Sequence, residues 1–180
     1  VKKWSMKEFN MLNKDEIKSN QFFTKKNLNF LTCIIIIFTI FFFDRVTKIK
    51  VLKEYTDTQV YINDFLNIDL IWNTGIGFGL LSSNSTYIYN SITILISLIV
   101  IFLIYLIIKS KFFEQILFCF VLGGALGNLY DRSVYYAVPD FIDFHYKSFH
   151  WFTFNIADIF ITIGILMLIL KSFFENEKSK

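Results

Sequence analysis

Four apolar runs, at 28–43, 87–108, 113–130 and 154–170, constrain this 180-residue chain more than anything else in it. A span of hydrocarbon takes about 20 residues of helix, because the backbone must satisfy its own hydrogen bonds there. The second run meets that length outright; the first is 16 residues long and must borrow a turn from its flanks. The third carries Glu114 and Gln115 near its start, and the fourth carries Asn155 and Asp158. Only 18% of the residues are charged, against about a quarter in a soluble domain. One proline and seven glycines exclude collagen-like, proline-rich and flexible-linker classes. The expected fold is therefore a membrane α-helical protein with four transmembrane helices.

The net charge of +3 is unevenly placed. Residues 1–27 hold seven lysines and three acids, while the remainder holds 11 basic and 12 acidic residues. A basic arm on a near-neutral apolar body does not suit a nucleic-acid-binding domain, which spreads its basic residues over a soluble face. The chain accordingly divides into a basic cytoplasmic arm at 1–27, a membrane domain at 28–171 and a cytoplasmic tail at 172–180. Asp44-Arg45-Val46-Thr47-Lys48 follows the first run in place of a small-x-small cleavage site, so that run is read as a retained helix. With the N-terminus inside, 12 basic residues lie on the cytoplasmic side and six outside. Both termini are then cytoplasmic, and loops 44–86 and 131–153 face outward. Cys33 and Cys119 sit within apolar runs, which excludes a disulfide scaffold and a cysteine-rich metal site.

In the first outer loop, Leu66-Asn67-Ile68-Asp69-Leu70 alternates as a half-buried strand does, and Val60 and Ile62 extend its apolar character. Asn73-Thr74-Gly75-Ile76-Gly77-Phe78-Gly79 then marks a turn or a close backbone approach. A small β-sheet in this loop, lying on the outer membrane surface, is expected. Asn84-Ser85-Thr86 fits a glycosylation sequon, a match too short to carry weight.

Polar groups at membrane depth are costly and suggest function. Asn128 and Arg132 are four apart and share a helical face; Gly123 and Gly127 have the small-xxx-small spacing of close helix packing. Asn155 and Asp158 also share a face, and Asp158 needs a partner or a wet cavity; an ion pair with Arg132 is one solution. Asp140 sits beside Pro139, Phe141 and Ile142, which hold it at the interface, and it flanks the same outer loop as Asp158. Two carboxylates in a partly desolvated site divide into one protonated and one ionised group, as aspartic peptide hydrolysis requires. Taken singly, Asp140 or Asp143 reads as a solvated loop acid. Asp44 and Lys48 read as an interfacial ion pair. His145 and His150 lack a matching acid and spacing, so no metal site is expected. No Ser-His-Asp or Cys-His arrangement and no Walker loop is present.

Together these motifs resemble the bacterial lipoprotein signal peptidases, the type II signal peptidase family. The resemblance runs from about 44 to 164 through Asp44…Thr47-Lys48, Asn73-x-Gly75-x-Gly77-Phe78-Gly79, Gly123-Gly124-Ala125-x-Gly127-Asn128-x-x-Asp131-Arg132, Val138-x-Asp140-Phe141-Ile142-Asp143 and Phe154-Asn155-x-Ala157-Asp158. Gly77 stands where alanine is more usual, and the long basic arm is a departure. The resemblance implies a membrane aspartyl endopeptidase that cuts diacylglyceryl-modified prolipoproteins just before the modified cysteine. It implies Asp140 and Asp158 as the catalytic dyad and Asn128, Arg132 and Asn155 as positioning residues, with Asn73, Gly75, Asp44 and Lys48 in supporting places. It also implies no cofactor or metal, a monomer, and a place in the bacterial cytoplasmic membrane with the site near the outer face. The choice of Asp140 over Asp143 comes from the family pattern. A proton-coupled transporter would want more polar residues at midplane than Thr93 and Ser97, and a non-catalytic scaffold leaves five clustered polar motifs unexplained. A prepilin peptidase is disfavoured because Gly-x-Gly-Asp does not occur.

Overall fold

The computed structural model describes residues 6–56, 58–75 and 85–178, with side chains from residue 26 onward except at 176 and 178. Residues 1–5, Gly77-Phe78-Gly79 and Asn84 of the sequon lie outside the described residues, as do the side chains of the basic arm up to residue 25. The elements run α1 (Met6–Glu54), β1 (Val60–Asn63), β2 (Leu66–Asn73), α2 (Thr86–Lys109), α3 (Phe112–Tyr135), β3 (Val138–Tyr146), β4 (Phe149–Phe154) and α4 (Ile156–Lys178). Residues 1–35 form one compact unit, of which the N-terminal part of α1 is described, and 36–180 form the other. The four strands, helices α2 to α4 and the C-terminal part of α1 all belong to this second unit.

Each of the four helices carries a stretch long and apolar enough to cross a membrane. The short first run gains its missing length from its flanks, since the helix continues on both sides of it and the apolar span reaches from Lys26 to Glu54. The fourth helix starts at Ile156, two residues later than the apolar run, because Phe149–Phe154 is strand β4. Helix α3 is the hub: 44% of its apolar stretch is buried, against 17% in each of the other three. Helix α2 turns Tyr89, Ile92, Val100 and Leu103 inward, a stripe at helical spacing, and exposes Ile94, Leu98, Ile101 and Ile108 as a lipid-facing helix does. Val100, Leu103, Val121, Leu122 and Ala125 form the buried core between α2 and α3.

Glycines let the neighbours of α3 approach. A Cβ at Gly123 would lie 3.0 Å from Ile40 Cβ, and one at Gly127 would lie 2.5 Å from Asp44 Oδ2, so both glycines face α1. Gly124 faces α4, where a Cβ would stand 2.5 Å from the Ala157 carbonyl oxygen. That oxygen is backbone and cannot rotate away. Gly124→Ala is therefore expected to push α4 off α3 at a cost of about 1–3 kcal/mol, read as a lower melting temperature in detergent. An unchanged melting temperature would show that the two helices are not held at this spacing.

The sheet is antiparallel in the order β1-β2-β3-β4. The sequence predicts a sheet in the first outer loop; the second loop supplies half of it. The sequence also predicts apolar residues inside on 66–70, yet Leu66, Ile68 and Leu70 are half-buried and Asn67 is buried. The buried neighbours of Asn67 are polar, Asp143 and His145. Tyr61, Ile62, Phe65, Trp72, Phe149 and Trp151 are exposed, an aromatic surface suited to a membrane–water interface.

Candidate active site

Two local structures deliver two carboxylates to one place. Helix α3 ends on Tyr136 in the left-handed conformation (φ 57°, ψ 18°), which turns the chain through Ala137 into β3. Two residues into that strand lies Asp140, 2% exposed, between the buried Pro139 and Phe141. Helix α4 starts with a reciprocal cap: Asn155 Oδ1 accepts from the Asp158 N–H (3.1 Å), and Asp158 Oδ2 accepts from the Asn155 N–H (3.2 Å). This is the capping-box arrangement with Asn and Asp in place of Ser and Glu. It fixes Asp158 in the first turn, 7% exposed.

Asparagines hold the two acids. Asn155 Nδ2 donates to Asp140 Oδ1 (2.6 Å) and to Asn128 Oδ1 (3.2 Å), and Asn128 Nδ2 donates to Asp158 Oδ1 (2.8 Å). Asn73, at the end of β2, donates through Nδ2 to Asp140 Oδ2 (2.9 Å), while its Oδ1 accepts from the Gly75 N–H (2.8 Å). Asp140, Asp158, Asn73, Asn128 and Arg132 line one end of a cavity of about 330 Å³. Its walls are Ile96, Ile99 and Leu103 of α2, Val121 and Ala125 of α3, and Ile161 and Ile165 of α4.

Arg132 does not make the ion pair with Asp158 that the sequence allows. Its guanidinium donates to the Thr74 and Gly75 carbonyls and lies over the Tyr89 ring, 5.6 Å from the centroid. Tyr89 in turn donates its hydroxyl to the Arg132 carbonyl (2.7 Å), so α2 and the loop after β2 are tied to the end of α3. No sequence signal singled out Tyr89.

Asp44 and Lys48, read from sequence as an interfacial pair, are completely buried. Lys48 Nζ donates to Asp44 (3.0 Å), to Asn128 Oδ1 (2.8 Å) and to Asp131 Oδ2 (2.7 Å). Arg45 also bridges Asp44 (2.8 Å) and Asp131 (2.7 Å). Asp44 Oδ1 accepts from the Ala157 N–H (3.2 Å) at the start of α4. Two acids and two bases thus join α1, α3 and α4, and through Lys48 they bond the asparagine that grips Asp158. Arg45, adjacent to Asp44, was the overlooked member.

The family model described as "Signal peptidase (SPase) II" matches residues 36–174. The chain belongs to the signal peptidase II family. A lipoprotein signal peptidase of Pelagibacter ubique is 53% identical over 83% of this chain and 92% of its own length, and one of Francisella tularensis subsp. novicida is 49% identical over 67% and 78%. A solved structure described as a bacterial membrane enzyme superposes with a TM-score of 0.70 at 33% identity, over 83% of this chain and 92% of that one. The signal peptidase II match takes in every residue of the cavity's polar end.

Burial, and then the charge of Asp158, push the Asp140 carboxyl from an ordinary 3.8 up to about 7, against the opposing pull of its Asn73 and Asn155 hydrogen bonds and of Lys48. Because the folded-state value is raised, the stability this group contributes is complete below about pH 4 and lost as pH rises through about 7. Between pH 4 and pH 8 the wild-type melting temperature is therefore expected to fall relative to that of Asp140→Asn, which cannot ionise. Parallel curves would mean that Asp140 does not titrate in this range.

Asp143 is not at this end of the cavity. It accepts from Asn67 (3.5 Å) and pairs with His150 (2.7 Å). The hairpin thus gives the histidines the acid partner that their sequence spacing did not reveal.

Proposed function

We propose that Asp140 and Asp158 are the catalytic pair with which this signal peptidase II removes the signal peptide from prolipoproteins, cutting just before a cysteine that already carries a diacylglyceryl group. The observation that carries the reading is the pair itself: two buried carboxylates, each held by asparagines, at the polar end of an otherwise apolar cavity. The pair holds one proton, carried by Asp140. Asp158, accepting from the Asn155 N–H and from Asn128, takes a proton from a water between the acids, and that water attacks the scissile carbonyl. The Asp140 carboxyl donates to the carbonyl oxygen as charge develops on it. The leaving amine then receives a proton from the pair, which is restored.

Asn128, Asn155 and Asn73 fix the rotamers of the acids, and Lys48 and Asp44 fix Asn128 and α4. Arg132 holds the Thr74–Gly75 backbone beside the cavity, and its Nε, buried and without a hydrogen-bond partner among the described residues, is available to a substrate carbonyl. Every group in this account comes from one chain, so a monomer suffices. The basic-residue count supports cytoplasmic termini and a site at the outer face, where the exposed aromatic sheet meets the interface.

The lipid is the test. Each buried CH₂ of a diacylglyceryl group is worth about 0.8 kcal/mol of membrane anchoring, which holds the scissile bond at interface depth. The lipidated precursor is expected to be cleaved at least about tenfold faster than the unlipidated one in the same detergent, in kcat as well as KM, because remote binding positions the reacting bond. Equal cleavage of the two would refute the lipid-dependent reading and leave the aspartyl mechanism standing.

A further inference from the structure

Outside the cavity, Asp143, His145 and His150 bring three potential ligand atoms within 4.8 Å of one another. His145 and His150 are cross-strand partners on β3 and β4, so their side chains emerge on one face. Their rings stack at 5.3 Å with 21° between planes. Asp143 Oδ2 lies 2.7 Å from His150 Nδ1 and 3.7 Å from His145 Nδ1.

An Asp–His hydrogen bond alone accounts for Asp143 and His150. It does not account for His145, whose Nδ1 is buried, aimed at the same carboxylate and without a hydrogen-bond partner among the described residues. Asn67 Oδ1, beside it, is in the same condition. A buried polar atom left unpaired costs free energy, and each such atom calls for an explanation.

We propose that Asp143, His145 and His150 bind a divalent transition-metal ion of the zinc class, at a site separate from the Asp140–Asp158 pair. Tetrahedral ligands at 2.0–2.2 Å from zinc stand roughly 3.3–3.5 Å apart, between the two separations seen here. His150, with 49% of its side chain exposed, is free to make the small movement required, and its exposure leaves an open side for a water as fourth ligand. Two imidazole nitrogens and one carboxylate suit zinc; magnesium and calcium demand oxygen donors. Binding through His145 Nδ1 places that ring's proton on Nε2, which lies 3.5 Å from the Asn67 side-chain amide. Turned end for end, the amide gives up its long donation to Asp143 Oδ2 (3.5 Å), which the metal then replaces, and offers its oxygen as acceptor, the outer-sphere hydrogen bond that orients a ligating histidine. The ion would clasp β3 to β4, and through Asn67 to β2, three residues from Asp140.

Calorimetric titration of the full chain, stripped with chelator and held in detergent, tests this with zinc chloride and magnesium chloride. Wild type and Asp140→Asn are expected to bind one equivalent of zinc and to melt at a higher temperature with it, while magnesium does neither. His150→Gln, at a half-exposed position, is expected to keep a wild-type circular-dichroism spectrum, to weaken zinc binding at least about tenfold and to abolish the thermal shift; Asp143→Asn is expected to do the same to zinc binding and the shift. Absence of stoichiometric zinc binding, unchanged affinity in His150→Gln, equal binding of magnesium, or loss of binding in Asp140→Asn would each overturn the assignment.

Discussion

Asp140→Asn and Asp158→Asn are each expected to lower prolipoprotein cleavage by at least about 10³-fold while leaving a folded, membrane-inserted protein. The amide copies the shape of the carboxyl, and at position 158 its oxygen still accepts from the Asn155 N–H, so the cap of α4 survives. It can neither receive a proton from water nor carry the proton of the pair. At position 140 the substitution removes a buried group that resists ionisation, so at pH 8 the variant is expected to melt no lower than wild type. Two groups acting as a unit are non-additive, so the double variant is expected to be no slower than the worse single one. Gel-resolved release of the signal peptide, alongside melting curves, measures both. Turnover near the wild-type rate in either single variant would show the pair to be misassigned.

Lys48→Met is expected to be the most damaging single change to the fold. The ammonium is fully enclosed and satisfies acceptors on α1 and α3: Asp44, Asn128 and Asp131. Methionine fills a similar volume but leaves two buried carboxylates with Arg45 as their remaining basic partner in the cluster. Breaking a buried ion pair from one side costs about 3–5 kcal/mol, a large part of the stability of a small domain. Asp131→Asn added to Lys48→Met is expected to recover part of the loss, because it removes one stranded charge. The melting temperatures of the single and double variants give the answer. A single variant that melts with the wild type would show that the cluster does not hold α1 against α3.

The four spans were legible because hydrocarbon imposes a length and an apolarity that few other folds share. The sheet was half legible. Strand β3 reads Val-Pro-Asp-Phe-Ile-Asp-Phe-His-Tyr: its first four residues are all buried and show no alternation, and the rest alternates with the polar side, Asp143 and His145, inward. Strand β2 does alternate, but with the polar side inward at Asn67 and Asn73. Helical spacing correctly grouped Asn128 with Arg132 and Asn155 with Asp158. It could not choose between Asp140 and Asp143, which differ in their partners: Asn73 and Asn155 for one, Asn67 and His150 for the other. Those partners come from β2, β4 and the cap of α4, and register across strands is not written in local spacing. The Asp44–Lys48 pair was visible, but its burial was not. That depends on Gly127, which lets α3 come close enough to bring Asp131 into the cluster.

The hydrogen bonds that grip Asp140 come from Asn73 before the second span and from Asn155 after the third, and Asp158 belongs to the last helix of all. During synthesis the chain emerges in that order. A nascent molecule that has inserted three helices possesses the strand partner and the α2 and α3 walls of the cavity but lacks both its α4 wall and the second acid. On the proposed assignment of Asp140 and Asp158 as the catalytic pair, it is expected to be inert as a protease until its final segment enters the bilayer and the Asn155 cap closes. On the same assignment, a premature stop anywhere before residue 158 is expected to yield a membrane protein without hydrolytic capacity.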